Sequence, residues 1–402
     1  MIRQWLGMPA VLLACTLAHS AAAAEKNYAP GVTDTEIKLG QTMPYSGPAS
    51  SYSTIGKAEA AYIKMINEKG GVNGRKINLI SLDDGYSPPK TVEQVRRLVE
   101  QDGVAAIFNP LGTPTNSAIQ KYLNDHKVPQ LFVATGATKW GDPEHFPWTI
   151  GWQPTYQTEG HIFAKYILDH VPNARIGVLY QNDDYGKDYL KGLKDGLGDK
   201  AAKLIVASVS YEVTDPTIDS QILTLQASGA NVFYDVTIPK FAAQAIRKSY
   251  DIGWKPLHLL NSVSASVSSV LKPAGFDKSI GIVSLLYLKD PTDPQWSKDK
   301  GFEDWLAWMK KYYPDGDVTD TFNAYGYTVA QGLVQTLKQC GDNLSRENIM
   351  KQAANLNMTL PMLLPGIKVS TGPKQFFPIR EMQLAKFDGK VWSLFGPVIK
   401  SE

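Results

Sequence analysis

The chain has 402 residues, with 41 Lys and Arg against 39 Asp and Glu and a formal net charge of +2. Spread without a basic stripe or charge block, that balance excludes a surface built for nucleic acid or anionic lipid. The length suggests two or three domains, and the only two cysteines, Cys15 and Cys340, exclude a disulfide-stapled scaffold.

Residues 1–24 read as a secretory leader. Arg3 supplies the positive start, residues 5–14 a short apolar run, and four alanines at 21–24 a cleavage site before Glu25. The stretch "LLAC" at 12–15 resembles a bacterial lipobox that would lipidate Cys15, but Leu13 fits that pattern poorly and the alanine site follows at a natural distance. A soluble, exported, periplasmic protein is the expectation. Beyond the leader no apolar run approaches the length of a membrane span. Cys340, in "QTLKQCGDN", reads as an inert structural thiol.

From residue 36 onward, apolar β-rich runs alternate with amphipathic helical patterns. "EIKLGQTM" predicts a strand and 54–70 a helix closed by Gly70 and Gly71. "KINLISLD", "VAAIFN" and "QLFVAT" follow as strands, with helices "PKTVEQVRRLVEQDG" and "TNSAIQKYLNDH" between them. Continuous apolar strands separated by helices of this length predict a parallel sheet covered on both faces. The pattern restarts after a Pro- and Trp-rich crossing segment at 142–156. Strands "ARIGVLYQ", "KLIVASVSY", "NVFYDV" and "LHLLNS" then alternate with four helical patterns, making a second doubly wound unit. After the apolar run 281–288 come three helical patterns, then a tail that alternates like antiparallel strands.

Catalytic and nucleotide motifs fail in turn. In "PYSGPASSYSTIGKAEA" a phosphate loop would need Gly where Ser51 stands and Ser or Thr where Ala58 follows Lys57. No GxGxxG follows a strand, and no GxSxG elbow exists. His126, His145, His161, His170 and His258 are scattered without zinc-ligand spacing. "QNDDYGKDY" lacks the ligand spacing of a calcium loop, so Asp183 and Asp184 read as a helix N-terminus. Ser297 and Lys300 have SxxK spacing within a charged surface run. No nucleophile–base pair can be nominated, so the expectation is a protein without enzymatic activity, metal or cofactor. Aromatic residues at strand-to-helix loops stand out instead: Tyr45, Tyr52, Tyr185, and Trp148 and Trp152 in the crossing segment. A Ser-, Gly- and Tyr-rich loop at a strand's C-terminal edge offers hydroxyls and helix-start amides to a small polar ligand.

The combination "SGP", "IN" and "GG" around the first helix, a strand ending in "DD", and then "PTNSAI", "VPQLFVATGAT", "ARIGVLYQNDDYGKDYLKGLKDGL" and "YGYTVAQGLVQTL" resembles the leucine/isoleucine/valine-binding family of periplasmic solute-binding proteins. The resemblance implies an α/β fold of two Rossmann-like doubly wound lobes joined by three crossing strands, closing on a ligand by hinge motion. The lobes would be 27–151 plus 283–364, and 152–282 plus 365–402. It further implies a small-molecule ligand and, as partners, the permease and ATPase subunits of an ABC importer, with the chain acting as a monomer.

Carried onto this sequence, the family's ligand site falls on Tyr52, on Gly112 and Thr113 (Gly112 where a serine is expected), and on Ala134, Thr135 and Gly136. It continues on Tyr185 in the second lobe and Phe322 in the first. Two departures matter. The acidic residue that faces a ligand ammonium is replaced by Val263 in "NSVSASVSS", with Asp235 the nearest substitute. The family's disulfide positions read Tyr86 and Leu111, which brings Tyr86 to the cleft. The implied site has an anion-holding end at Thr113, Thr135 and nearby amides, and an aromatic remainder of Tyr52, Tyr86, Tyr185 and Phe322. An unpaired buried ammonium is costly, so an amine-free carboxylate such as an aromatic acid is expected. A branched-chain amino-acid binder, or a ligand-sensing receptor domain, is the alternative.

Overall fold

The computed structural model describes residues 26–400; the leader and its Cys15 lie outside the described residues. The first sheet has five parallel strands: β1 (Glu36–Met43), β2 (Lys76–Asp83), β3 (Ala106–Phe108), β4 (Gln130–Val133) and β5 (Thr149–Gly151). Their spatial order is β2-β1-β3-β4-β5. The connections include α1 (Ser53–Glu68), α2 (Pro88–Arg96) and α3 (Thr113–Asp125).

The chain then crosses through Trp152 into a second unit with α4 (Tyr156–His170), β6 (Ile176–Gln181), α5 (Asp184–Leu197) and β7 (Ile205–Tyr211). It continues with α6 (Asp219–Ala227), β8 (Val232–Val236), α7 (Pro239–Asp251), β9 (Leu257–Leu260) and β10 (Val283–Leu286). The order here is β7-β6-β8-β9-β10, the same winding as in the first sheet. Beyond β10 two antiparallel strands, β11 (Glu381–Phe387) and β12 (Trp392–Lys400), complete a sheet of seven. Helices α8 (Lys300–Tyr312), α9 (Thr321–Cys340) and α10 (Arg346–Ala353) come between β10 and β11 in sequence. Helix α9 packs on α1, where Gly326 lets the backbones meet: a Cβ there would fall 2.7 Å from the Ile55 carbonyl oxygen.

The two lobes and the antiparallel tail thus follow the predicted pattern. One boundary differs. Val283–Leu286 pairs with β9 and β11 in the second sheet, so the return to the first lobe begins after Leu286, not at 283. A fully buried apolar strand carries the same pattern in either sheet, and pairing alone decides its side. Cys340 is buried, as an inert thiol should be, and burial pushes its pKa up to about 12.

Trp152 anchors the first crossing. Its ring is fully buried, lies 5.1 Å from that of Phe132, and rests on Gly332, where a Cβ would fall 2.5 Å from its ring. Removing it leaves a cavity between the first sheet and α9 that rigid strands cannot collapse. Trp152→Ala is expected to cost about 3–5 kcal/mol, seen as a lowered denaturation midpoint in urea; a change below about 1 kcal/mol would contradict this packing role.

Candidate functional site

Parallel strands linked by right-handed crossovers place every following helix N-terminus at the same sheet edge. In an order of this kind the connections from the first and third strands leave in opposite directions, which opens a crevice between them. Here the crevice of the first sheet opens between the loops after β1 and β3, and that of the second between the loops after β6 and β8. The two crevices share one cavity, lined by Tyr52, Gly112 and Thr113 from the first unit and by Tyr185 and Ile238 from the second. Its internal space, measured as room for the centre of a water-sized sphere, is about 80 Å³. A single water needs about 10–15 Å³ on that measure, so the cavity takes a small molecule.

Six helices begin at this wall. Tyr52 precedes α1, Gly112 and Thr113 open α3, Tyr156 opens α4, Tyr185 lies in the first turn of α5, Ile238 precedes α7, and Thr321 and Phe322 open α9. Asp183 caps α5 by accepting from the Tyr185 amide at 2.9 Å, and Asp320 caps α9 by accepting from Phe322 at 3.0 Å. Helix α3 has no side-chain cap. Its N-terminal amides therefore offer partial positive charge to the cavity. No charged side chain is among the lining residues.

The structure brings most of the sequence-predicted residues together. Tyr52, Tyr86, Gly112, Thr113, Ala134, Tyr185, Val263 and Phe322 all line the cavity. Tyr52 and Phe322 meet at 5.0 Å between ring centroids, and the Tyr52 hydroxyl donates to the Val263 carbonyl at 3.0 Å across the lobes. Thr135 and Gly136 stand behind this wall. The Thr135 hydroxyl is hydrogen-bonded to that of Thr113, and the Gly136 carbonyl accepts from the Tyr156 amide at 2.8 Å. Asp235 does not reach the cavity. It is fully buried on β8, paired with His258 at 3.1 Å and accepting from the Thr237 hydroxyl at 2.6 Å. Tyr45 and Trp148 are also absent from the wall; the Tyr45 hydroxyl is bonded to Ser81.

Gly112 and Tyr86 explain each other. Gly112 has φ +102°, and a Cβ there would fall 2.5 Å from Tyr86 Cε2 and 2.7 Å from Thr115 Oγ1. The Tyr86 ring therefore fills the space that a side chain at 112 would need. Tyr86 itself has φ +62°, a left-handed conformation that bulky residues rarely adopt, with its amide held by Asp84 Oδ1 at 2.9 Å.

Several other wall residues carry no local signal in the chain. Tyr156, Gln153, Tyr287, Tyr325 and Ser262 line the cavity, and the first two lie in or beside the crossing segment. The Tyr156 hydroxyl lies at the polar end, where Thr135, the Gly136 amide and Thr113 temper the rise that burial imposes on its pKa. One helical turn on, Glu159 is buried directly behind Ser262. Its Oε1 accepts from the Ser262 amide at 2.8 Å and its Oε2 from the Tyr189 hydroxyl at 3.2 Å. Burial without a cationic partner raises its pKa from 4.5 to about 7.

Beyond the cavity the lobes are hydrogen-bonded to each other. Ser266 and Ser269 donate to Asp320 at 2.9 and 2.7 Å, and Ser268 donates to Asp317. On another edge the Thr138 amide and hydroxyl reach Asp188 at 2.8 and 2.9 Å. The arrangement can enclose a small solute and exclude water. It offers no nucleophile–base pair at the cavity wall, and among the described residues no cluster of His, Cys, Asp or Glu could hold a metal ion.

A family model described as "Periplasmic binding protein" matches residues 36–390. The chain is 26% identical over 329 residues to the "Leu/Ile/Val-binding protein homolog 1" of Brucella abortus (strain 2308), covering 78% of this chain and 81% of that one. Among solved structures, a "branched chain amino acid ABC transporter" from Thermus thermophilus with bound valine superposes with a TM-score of 0.82 at 14% identity, covering 92% of this chain and 98% of the other. A "Fatty acid ABC transporter substrate-binding protein" from Thermomonospora curvata gives a TM-score of 0.77 at 22% identity, covering 94% and 95%.

Gly112→Ala should destabilise by about 1–3 kcal/mol, from a φ suited to glycine and the Tyr86 contact; in a Tyr86→Ala background the contact part should vanish, leaving a smaller cost in thermal unfolding. For Glu159, the folded state binds the extra proton between the unfolded and folded pKa values, so stability should fall as pH rises from about 4.5 to about 7. Glu159→Gln should lack this component, with a difference of at most about 3 kcal/mol between pH 5 and pH 8. Parallel stability–pH curves for the two proteins would refute the assignment.

Proposed function

The chain belongs to the periplasmic binding protein family, and from that premise we propose that it is the solute-binding component of an ABC importer that captures a small, amine-free carboxylate, an aromatic acid above all. It would act from the periplasm, as a monomer, handing its ligand to permease and ATPase subunits. The observation that carries this reading is the wall itself: six tyrosines and Phe322, but no charged side chain.

An α-ammonium buried there would have no carboxylate in contact. Val263 offers only a carbonyl, and that carbonyl already accepts from Tyr52. Asp235 is engaged elsewhere. Leaving a desolvated ammonium without its countercharge costs several kcal/mol. A carboxylate faces a different balance. Hydroxyls of Thr113, Thr135 and Tyr156 converge at the uncapped start of α3, and hydrogen bonds from neutral donors and helix amides suffice for many buried anions. The aromatic remainder suits a flat apolar body.

A branched-chain amino acid is the second reading. It is favoured by Glu159, which lies one layer behind Ser262 and is the acid that could oppose an ammonium through that residue. Solved relatives of this fold include both a valine complex and a protein named for fatty acids, so the fold itself accommodates either class.

The test is a thermal-shift screen of refolded, ligand-free protein against Leu, Val, Phe, benzoate, hydroxybenzoates and phenylpropenoates. A ligand at 100 times its Kd should stabilise by about 2.7 kcal/mol. Stabilisation by amine-free carboxylates is expected, and stabilisation by Leu or Val alone would overturn the reading. With the carboxylate so identified, Thr113→Ala and Tyr185→Ala should each weaken binding by about tenfold or more in calorimetric titration; unchanged affinities would remove these residues from the site.

A further inference from the structure

Glu159 touches the wall residue Ser262 from behind without a cation to neutralise it. Asp183 does the same at Tyr185, Asp290 at Thr321, and Asp320 at Ser266 and Phe322. Among them Glu159 is the one that meets the serine-rich loop at Ser262, beside Val263, where a ligand-facing acid is expected. Its surroundings are hydroxyls and rings from every direction. The Tyr189 hydroxyl of α5 and the Ser262 amide donate to it. Tyr156 lies one turn earlier on its own helix, stacked on Tyr189 at 4.2 Å. Tyr234 of β8, with a buried hydroxyl that has no partner, and Tyr287, just beyond β10, face it through space. All four phenols are held neutral by burial, which drives their pKa values up. No Lys, Arg or His acts on it. When Glu159 ionises, therefore, its field is not cancelled locally and spreads into the cavity through Ser262.

We propose that Glu159 is a titratable determinant of charge selectivity at the Ser262 side of the cleft: protonated, it leaves that side neutral and open to a carboxylate, and ionised, it disfavours an anion and favours a ligand presenting a donor or a cation to Ser262. This rests on the solute-binding reading of the same cavity. It makes capture of anionic solutes stronger in a mildly acidic compartment than in an alkaline one. Reciprocally, binding an anion draws a proton onto Glu159, because the two charges cannot be accommodated together in a wall of low polarity.

The size of the effect follows from Coulomb's law. Two unit charges at a separation on the order of 10 Å, in surroundings with an effective dielectric near 20, alter an affinity by roughly tenfold. Hydrogen-bond shape alone would produce no such dependence on ligand charge, which gives the test its discrimination.

The experiment has two arms, each run on the native residue and on Glu159→Gln. In the ligand arm, calorimetry measures benzoate, benzamide, benzylamine and leucine at about pH 6 and about pH 8. Benzoate should weaken by roughly tenfold over that range with Glu159 and by distinctly less with Gln, where only other groups such as Asp290 behind Thr321 still titrate, while benzamide stays level with both. Equal pH slopes for benzoate in the two proteins would overturn the proposal. In the ligand-free arm, Ala265→Cys places a thiol in the wall, Cys340 being buried, and the ratio of its alkylation rates by iodoacetate and iodoacetamide reports the local potential. That ratio should fall severalfold as pH rises with Glu159 and by distinctly less with Gln; identical ratios in the two proteins would refute the proposal. If no panel compound binds, the carboxylate and amino-acid readings of the cleft fail, and the alkylation ratio still decides the role of Glu159.

Discussion

Everything about this cleft depends on one geometric constraint: parallel pairing sends each helix away from the C-terminal edge of its sheet. Because both sheets wind in the same order, each lobe presents helix N-termini where its strand order reverses, and the lobes set these two edges against one another. The positive ends of helix dipoles thus converge on one small space. Two of those ends are capped by aspartates of their own, Asp183 and Asp320. The start of α3, behind an uncapped Gly112, is not. Helices α1 and α7 also begin here without a side-chain cap, and what marks the start of α3 as the polar end is the pair of hydroxyls beside it, Thr113 and Thr135.

The serine-rich loop at 261–269 shows how a family position can change its task. Where a ligand-facing acid is expected, Val263 contributes only its carbonyl, and that carbonyl bonds to Tyr52 of the other lobe. The serines that follow bond to Asp317 and Asp320, also across the lobes. Hydrogen bonds to carboxylates contribute about 1.5–3 kcal/mol each when buried, less where water competes. This loop thus holds lobe to lobe, and part of the free energy that keeps the lobes together comes from the protein itself. A ligand in such a site has to contribute less to closing it.

Much of the fold was legible because its signals are local. Apolar strands, helix lengths and the start of α5 at Asp183 can be read from the period and the caps, and the rejected phosphate loop indeed offers Tyr52 to the cavity. What could not be read depends on pairing across distance. The run 281–288 carries no mark of which sheet it joins. Asp235 sits beside the right loop, but its side chain shares a sheet face with His258, two residues along in register on the neighbouring strand, and is used there. Tyr156 and Glu159 belong to an ordinary amphipathic pattern, and only the crossing at Trp152 turns their first turn toward the cleft. The fit between Gly112 and Tyr86 joins residues that the sequence assigns to separate loops; a glycine next to a threonine before a helix is too common to announce it.

The abundance of tyrosine at this wall follows from the same economy of charge. A wall of phenylalanines would leave the ligand's polar atoms unsatisfied, and a wall with lysine or arginine would need counterions of its own when empty. A buried phenol avoids both costs, since it brings apolar area and one hydroxyl while remaining neutral. Burial raises the pKa of Tyr52, Tyr86 and Tyr185 well above the ordinary value, so they stay un-ionised across any physiological pH. Their hydroxyls are also used between protein groups: Tyr52 to Val263 and Tyr185 from Asn261. The rings are thereby fixed in place, and the remaining lone pairs and protons can be aimed at a solute. In such a neutral surround, the carboxylates one layer back weigh heavily on the field within: Glu159 behind Ser262, Asp290 behind Thr321, and Asp183 and Asp320 at the helix starts. A side chain that makes no part of the wall can therefore bear on what the wall will hold.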